Sequence, residues 1–116
     1  MSAILIFDEH PRATRLLLGP LEIDLFDRTA ARSGHALDLR AREYALLVHL
    51  ARNAGQFVPR RVLLRAVWRL ENDPGTNVVE AHVSRLRARL DRGWDAPMLR
   101  TWRGRGYCLD APGDPF

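Results

Sequence analysis

Residues 76–109 read TNVVEAHVSRLRARLDRGWDAPMLRTWRGRGYCL, and their pattern indicates the fold most clearly. Four apolar residues in it recur at i, i+4, i+7 and i+11, a spacing that puts them on one face of an α-helix. They are Val79, Val83, Leu86 and Leu90. The pattern predicts a helix from about Asn77 to Leu90 that buries a single stripe of side chains.

The opposite face of this predicted helix carries mostly small side chains. At about 100° per residue, it holds Asn77, Ala81, Ser84, Arg85 and Ala88. A helix that faced only water would more usually carry Glu, Arg or Gln there. Small residues around one arginine let the backbone approach another molecule closely, as entry into the major groove of DNA requires. A merely solvated Arg85 is the alternative.

The end of the stretch predicts a β-hairpin. Met98–Arg103 and Tyr107–Leu109 flank the turn sequence Gly104-Arg105-Gly106. Its two glycines permit the positive φ of a tight turn. Arg103 and Arg105 are therefore expected at an exposed, basic tip.

Upstream, residues 39–68 read LRAREYALLVHLARNAGQFVPRRVLLRAVW and predict two more helices. The first runs from about Ala41 to Asn53, and its apolar face holds Tyr44, Leu47, Val48 and Ala51. The second begins near Pro59, a residue suited to a first helical turn. Its apolar face holds Val62, Leu63, Ala66 and Val67, and its opposite side holds Arg61, Arg65 and Arg69.

The first third of the chain predicts a sheet. Gly19-Pro20, Asp27-Arg28 and Ser33-Gly34 are turn signals that separate short apolar runs. Short strands at this spacing favour a small antiparallel sheet. The chain is therefore expected to be α+β, with an N-terminal antiparallel β-sheet, three helices and a C-terminal β-hairpin wing. That order is typical of a winged helix-turn-helix.

The positive charge is concentrated in two blocks. All 18 basic side chains are arginine, and the formal net charge is +4. Residues 40–69 contain 7 Arg and 1 Glu, which gives +6, and residues 76–107 contain 7 Arg and 3 acids, which gives +4. A polyanionic partner is the natural interpretation. Charge alone leaves open a merely solvated basic surface.

Several other classes of protein are disfavoured. The single Cys108 cannot form an internal disulfide and fits a reducing compartment. No apolar run approaches the ~20 residues of a membrane span, and the start lacks a signal-peptide pattern. CxxC, HExxH, P-loop and GxSxG motifs are absent. Asp8-Glu9-His10 is interpreted as solvated charge and not as a metal site. We therefore expect a cytoplasmic protein that is not an enzyme and has no cofactor, metal or small-molecule ligand.

The two quoted stretches, in this order, resemble the DNA-binding effector domain of OmpR/PhoB response regulators, including its terminal Arg-Gly-x-Gly-Tyr hairpin. The resemblance covers about residues 15–110, with 1–14 as an N-terminal extension and 111–116 as a tail. It implies sequence-specific binding of double-stranded DNA in transcription regulation, with the third helix in the major groove and the wing in the adjacent minor groove. Members of that family often pair head-to-tail on direct repeats, so two copies per site are expected.

The resemblance also implies roles for individual residues. Arg85 matches the arginine that contacts a base edge, and the residues that share its face are Asn77, Ala81 and Ser84. Arg, Asn and Ala side chains suit guanine, adenine and the thymine methyl group respectively. The matches to phosphate-contacting positions are His82 and Arg87, and Thr101 and Tyr107 of the wing are also expected to contact phosphate. The matches to the wing are Thr101, Arg103, Gly104 and Tyr107, with Arg105 between them, and a wing arginine suits a narrow minor groove.

Some of these roles have structural alternatives. Arg61 and Arg65, at the start of the helix-turn-helix, either bind backbone phosphate or solubilise the surface. His82 lies on the flank of the core stripe, where a partly buried, hydrogen-bonded histidine is equally expected. Tyr107 is more often a wing-core aromatic than a DNA contact, although its hydroxyl could donate to phosphate.

The polar loop after the second helix matches the family segment that touches RNA polymerase. Its candidate contact residues are Leu70, Glu71, Asn72 and Asp73. A flexible acidic turn is the alternative. Together with Trp102, this loop would also supply the contact surface of a different kind of protein, an interaction module without specific DNA binding.

Four positions depart from the family pattern. Arg40 replaces a usual Thr N-cap and Pro59 replaces a usual Ser, so two helices are expected to lose side-chain caps worth about 1 kcal/mol each. Val78 stands where many members have a phosphate-binding Thr. Trp102 replaces a small aliphatic residue, and it either fills a core gap or presents an extra surface beside the wing.

Only about 14 residues precede the matching region, where family members carry a receiver domain of about 120 residues. Residues 3–9, AILIFDE, resemble the first strand and acidic pair of a receiver. One hypothesis is a stand-alone or shortened regulator without phosphorylation control. The other is that Ile4–Phe7 simply adds an edge strand to the sheet.

Overall fold

The computed structural model describes residues 4–7 and 13–112. Five antiparallel strands form one sheet in chain order. They are β1 (Ile4–Phe7), β2 (Ala13–Leu18), β3 (Leu21–Asp24), β4 (Thr29–Arg32) and β5 (His35–Ala36). Three helices follow, α1 (Ala41–Arg52), α2 (Arg60–Trp68) and α3 (Val78–Leu90), and then a hairpin of β6 (Leu99–Trp102) and β7 (Gly106–Leu109). The predicted winged helix-turn-helix with its N-terminal sheet is confirmed.

The core lies between one face of the sheet and the three helices. Alternate residues of β3 point inward, because Leu21 and Ile23 are fully buried while Glu22 is exposed. The predicted stripe of α3 is buried in full, at Val79, Val83, Leu86 and Leu90. α1 packs against both α2 and α3, so the third helix is held by its apolar stripe and its opposite face is left at the surface.

The N-terminal strand lies at the edge of the sheet. β1 pairs antiparallel with β2, with Ile4 opposite Leu17 and Phe7 opposite Ala13. The relation of this segment to a receiver domain stays a hypothesis. Asp8-Glu9-His10 lies outside the described residues.

The prediction for the buried face of α2 was wrong in one residue. Leu64 is buried and Ala66 is exposed, whereas Leu63 and Val67 are buried as predicted. A face drawn from spacing alone favoured Ala66, but α2 is rotated so that the larger Leu64 packs inside. Burying the larger side chain removes more apolar surface from water.

Two helices begin without a side-chain cap on their N-cap residues, Arg40 of α1 and Pro59 of α2, as their residue types led us to expect. α1 still satisfies one group at its start, because the Glu43 carboxylate accepts a hydrogen bond from the Arg40 backbone N–H at 3.2 Å. This is the carboxylate half of a capping box. An arginine side chain has no acceptor for the other half.

Asp91 joins the end of α3 to the start of β6. Its carboxylate accepts hydrogen bonds from the backbone N–H groups of Met98 and Leu99 at 2.9 and 3.1 Å. The Asp91 side chain therefore links the helix directly to the hairpin and helps to set the position of the wing beside α3.

Candidate nucleic-acid interface

The outer face of α3 is open to solvent around Arg85. Ser84, Arg85 and the N-cap residue Asn77 are exposed, and Ala81 is half-buried. The Arg85 side chain has no hydrogen bond or ion pair with the described residues, so its guanidinium keeps all five donors. Small neighbours and a free fork are the chemistry that reads a guanine edge in the major groove.

The hairpin is clamped at its base and open at its tip. Val58, in the segment before α2, pairs with Tyr107 through two backbone hydrogen bonds of 2.7 and 3.1 Å. Gly106 packs so closely that a Cβ there would meet the Val58 carbonyl oxygen at 2.0 Å. The tip residues Arg103, Gly104 and Arg105 are exposed. The wing is thus a short basic finger on a rigid base.

Trp102 lies on the surface of the wing and does not fill a core gap. Trp102 is 52% exposed. The Phe57 ring meets it edge-on with centroids 5.3 Å apart, and the Arg105 guanidinium lies 4.7 Å from its ring centroid. Of the two expectations for this departure from the family pattern, the surface position is the one observed.

Arg87 and Thr101 are brought together between α3 and β6. The Arg87 Nη2 donates to Thr101 Oγ1 at 2.7 Å and to the Leu99 carbonyl oxygen at 3.3 Å. Both residues were predicted to contact phosphate. They form a pair of adjacent hydrogen-bond donors at the junction of α3 and the wing, although part of the Arg87 guanidinium already donates to Thr101 and Leu99.

His82 is partly buried and hydrogen-bonded, which was the alternative to a phosphate contact that its sequence position suggested. Its Nδ1 lies 2.8 Å from the Val78 carbonyl oxygen, and its ring meets Trp68 edge-on. A carbonyl only accepts, so Nδ1 carries the proton and Nε2 of the neutral ring is an acceptor. A phosphate contact through Nε2 would therefore require the protonated ring.

Arg60 is the residue that sequence reasoning missed. It lies at the start of α2, and its Nε donates to Glu80 on α3 at 2.7 Å. Its other nitrogens donate to Asp73 and to the Thr76 carbonyl oxygen. These partners are 13 to 20 positions away in sequence, so no local pattern signals them.

In the Arg60 cluster, which consists of Arg60, Asp73 and Glu80, the pKa values of both carboxyl groups are lowered. Hydrogen bonds from Arg60 and from the Gly75 backbone hold the pKa of Asp73 below its usual value. Burial works against the charged form of Glu80, but the bonds from Arg60 prevail and the pKa of Glu80 is also lowered. The acidic loop is thus tied at Asp73, although Leu70, Glu71 and Asn72 are exposed.

The remaining predicted phosphate contacts differ in exposure. Arg61 is exposed and has no ion pair among the described residues, whereas Arg65 lies 3.9 Å from Glu71. Tyr107 is half-buried in the wing, and burial raises the pKa of its hydroxyl. Arg61 is therefore the most available cation of α2.

The part of the chain that the structure describes holds neither a metal-binding cluster nor a membrane-spanning helix. Within residues 4–7 and 13–112, no cluster of three His, Cys, Asp or Glu side chains is placed to hold a metal ion. No helix in the same residues has the length and apolarity that crossing a membrane requires.

The fold and this surface define the class of the protein. A packed sheet, a helix pair with a third helix exposed around one arginine, and a basic hairpin beside it make a winged helix-turn-helix domain. The chain belongs to the family described as "Transcriptional regulatory protein, C terminal", which matches residues 34–109.

Individual relatives agree with this assignment. The chain is 39% identical over 98 residues to the transcriptional activator protein IrlR of Burkholderia pseudomallei, covering 84% of this chain and 43% of that protein. It is 37% identical over 106 residues to the DNA-binding response regulator MtrA of Mycolicibacterium smegmatis, covering 90% and 46%. The chain thus spans less than half the length of these relatives.

Solved structures give the same result. The DNA-binding domain of CpxR from E. coli superposes with a TM-score of 0.74 at 32% identity, covering 85% of this chain and 98% of that domain. The DNA-binding domain of RstA from Klebsiella pneumoniae, solved in complex with the RstA box, also gives 0.74 at 29% identity, covering 83% and 96%.

Proposed function

We propose that this protein binds specific double-stranded DNA sequences and thereby regulates bacterial transcription, with α3 in the major groove and the wing in the adjacent minor groove. The observation that carries the proposal is Arg85, exposed and unpaired among the described residues, on the outer face of a helix whose core stripe is fully buried. The RstA domain, whose fold this chain shares, was solved on its DNA box.

Binding would combine three kinds of contact. Base readout falls to Asn77, Ala81, Ser84 and Arg85 on the outer face of α3, through major-groove edges. Phosphate contacts fall to Arg61, Arg65, Arg87, Thr101 and Tyr107, which position the protein without reading sequence. Arg103, Gly104 and Arg105 would enter the minor groove, and His82 would join the phosphate contacts only when protonated.

We further propose how this domain is organised and where it acts. The working unit is residues 15–110. Two copies would bind direct repeats head-to-tail, and the loop from Leu70 to Asp73 would meet RNA polymerase. The protein would act in the cytoplasm, where bacterial DNA lies, and would not be an enzyme, because the roles proposed for the residues of this surface are contacts to DNA and include no reacting group.

The test is selection of duplex DNA from a random pool, followed by fluorescence anisotropy on the enriched sequence. Arg85→Ala should lose about 1–3 kcal/mol, mainly by relaxing preference at one base position. Arg15→Ala is the matched control, because it removes the same charge from β2, outside the proposed interface.

One result would reject the proposal. If wild-type protein enriches no sequence and binds all duplexes alike, specific regulation is wrong. Retention on RNA polymerase under those conditions would favour the alternative, an interaction module that uses the exposed Trp102 and the acidic loop.

A further inference from the structure

The two arginines at the tip of the wing are held differently. The Arg105 guanidinium lies 4.7 Å from the centroid of the Trp102 ring, within the range of a cation–π contact. The Arg105 backbone N–H also donates to the Trp102 carbonyl oxygen at 2.8 Å. Arg103, two residues earlier, has no polar or ring partner among the described residues. Arg105 is therefore oriented before any ligand arrives, and Arg103 is not.

The ring under Arg105 is itself held in place. Phe57 meets Trp102 edge-on at 5.3 Å, and the next residue, Val58, is hydrogen-bonded to Tyr107 in the opposite strand of the hairpin. The segment 57–58 thus holds both strands of the wing, one through a ring contact and one through the backbone. The Trp102 ring is therefore held in a fixed position, although about half of the residue is exposed.

A cation–π contact leaves an arginine able to bind something else. The Arg105 guanidinium lies over the face of the Trp102 ring, which offers no conventional hydrogen-bond acceptor, so its N–H donors stay available. Arg60 and Arg87 are different, since their donors are taken up by carboxylate, carbonyl and hydroxyl oxygens of this chain. Arg105 combines a fixed direction with a full set of donors, which lowers the ordering cost of binding.

We propose that Trp102 is a positioning residue that aims Arg105 into the minor groove, so that Arg105, and not Arg103, carries the preference of the wing for a narrow, A·T-rich groove. The inference rests on the proposed DNA binding and adds to it a residue that determines specificity beyond the recognition helix. Narrow minor grooves have enhanced negative potential, and a pre-aimed guanidinium senses groove width more sharply than a freely moving one.

The first test needs no DNA. Protons of the Arg105 side chain that lie over the indole ring should resonate upfield in the NMR spectrum of the wild-type protein. Trp102→Leu should remove that displacement and Trp102→Phe should retain part of it. Phe57→Leu, which removes the edge contact but not the platform, should retain most of it. An Arg105 signal that Trp102→Leu leaves unmoved overturns the proposal.

The second test is a double-mutant cycle of Trp102→Leu and Arg105→Ala on the selected operator. Trp102→Leu should weaken binding by roughly two- to fivefold when Arg105 is present, and have no effect in the Arg105→Ala background. The loss should disappear on an operator whose wing-facing A·T pairs are replaced by G·C. Arg105→Ala should lower the salt slope by about 0.9, whereas Trp102→Leu should not change it.

The outcomes separate the two proposals. If wild type discriminates its operator but Trp102→Leu weakens binding equally in both backgrounds, Trp102 contacts DNA or shapes the wing directly, and the positioning role is wrong. A Trp102→Leu protein with unchanged affinity and groove preference overturns it as well. If wild type does not distinguish operator from random DNA, the proposed function fails and this inference falls with it. Thermal unfolding of each variant confirms that the wing remains folded.

Discussion

Arg32, the last residue of β4, forms a buried ion pair with Asp91, the residue that follows α3, with 2.8 Å between Nη1 and Oδ1. The two side chains are 3% and 9% exposed. Arg32 also donates to the carbonyl oxygens of Leu90 and Ala96, and it stacks on Trp94. Since the Asp91 carboxylate in turn accepts hydrogen bonds at the start of β6, one buried pair connects the N-terminal sheet, α3 and the wing.

Removing the cation of this pair should destabilise the whole domain. Arg32→Met leaves the buried Asp91 carboxylate without its cation and the Leu90 and Ala96 carbonyl oxygens without the Arg32 donors, so we expect a loss of about 3 kcal/mol in the free energy of unfolding. Urea denaturation measures it. The control is Arg15→Met, which breaks the exposed pair with Glu22 and should cost less than about 1 kcal/mol. Equal losses in the two variants would contradict a central role for Arg32.

The docking of the wing should depend on one glycine much more than on its neighbour. Gly106 has φ +124° and no room for a Cβ, whereas Gly104 has φ +84° and nothing within 4 Å. Gly104→Ala should therefore cost only the strain of positive φ, about 1–2 kcal/mol. Gly106→Ala should cost more, because it also pushes the hairpin off Val58. Thermal unfolding and amide hydrogen exchange at Tyr107 measure this difference. A smaller loss of stability for Gly106→Ala than for Gly104→Ala would mean that the contact between the hairpin and Val58 yields easily.

Sequence patterns predicted the elements that repeat locally. The i, i+4, i+7, i+11 stripe of α3 and the glycines of the wing depend on neighbours within a few residues, so periodicity and turn chemistry were sufficient. The same holds for the short strands that the turn signals separate. Arg85 and its small neighbours could also be placed on the outer face of α3, since the buried stripe fixes what lies opposite.

Contacts between distant parts of the chain could not be predicted in this way. Arg32 meets a residue 59 positions away and Arg60 meets one 20 positions away, and both are simply charges on a face until the helices pack. Trp102 was left with two alternatives for the same reason, because only the packed structure brings Phe57 to its edge. The burial of Leu64 on α2, where Ala66 had been predicted to be buried, is likewise set by the rotation of the packed helix.

The Arg60 cluster should make stability fall in acid. Asp73 and Glu80 have lowered pKa values when folded, so they bind protons more weakly than in the unfolded chain. Their contribution is fully present above their usual pKa values of 3.8 and 4.5, and it is lost as the pH falls through the lower folded values. Arg60→Met removes the cause. Its unfolding free energy should therefore fall less steeply than that of wild type between about pH 5 and pH 3.

The control for that experiment is Arg65→Met. The Arg65–Glu71 pair is exposed and 3.9 Å apart, so its loss should leave the acid dependence of wild type intact. If Arg60→Met and wild type lose stability in parallel as the pH falls, the cluster does not hold the loop against α3 in solution.

Arg61 tests whether the basic surface of α2 binds DNA or only solubilises it. The side chain is exposed and free of ion pairs among the described residues, so a phosphate contact would release counterions from DNA without first breaking an internal bond. Arg61→Ala should then weaken binding alike on operator and random DNA and lower the slope of log affinity against log salt by about 0.9. Arg15→Ala, an equal change in net charge within the N-terminal sheet, should leave that slope unchanged. Equal slopes for Arg61→Ala and wild type would assign this arginine to a solvated face, and the phosphate contacts would then fall to the junction of α3 and the wing.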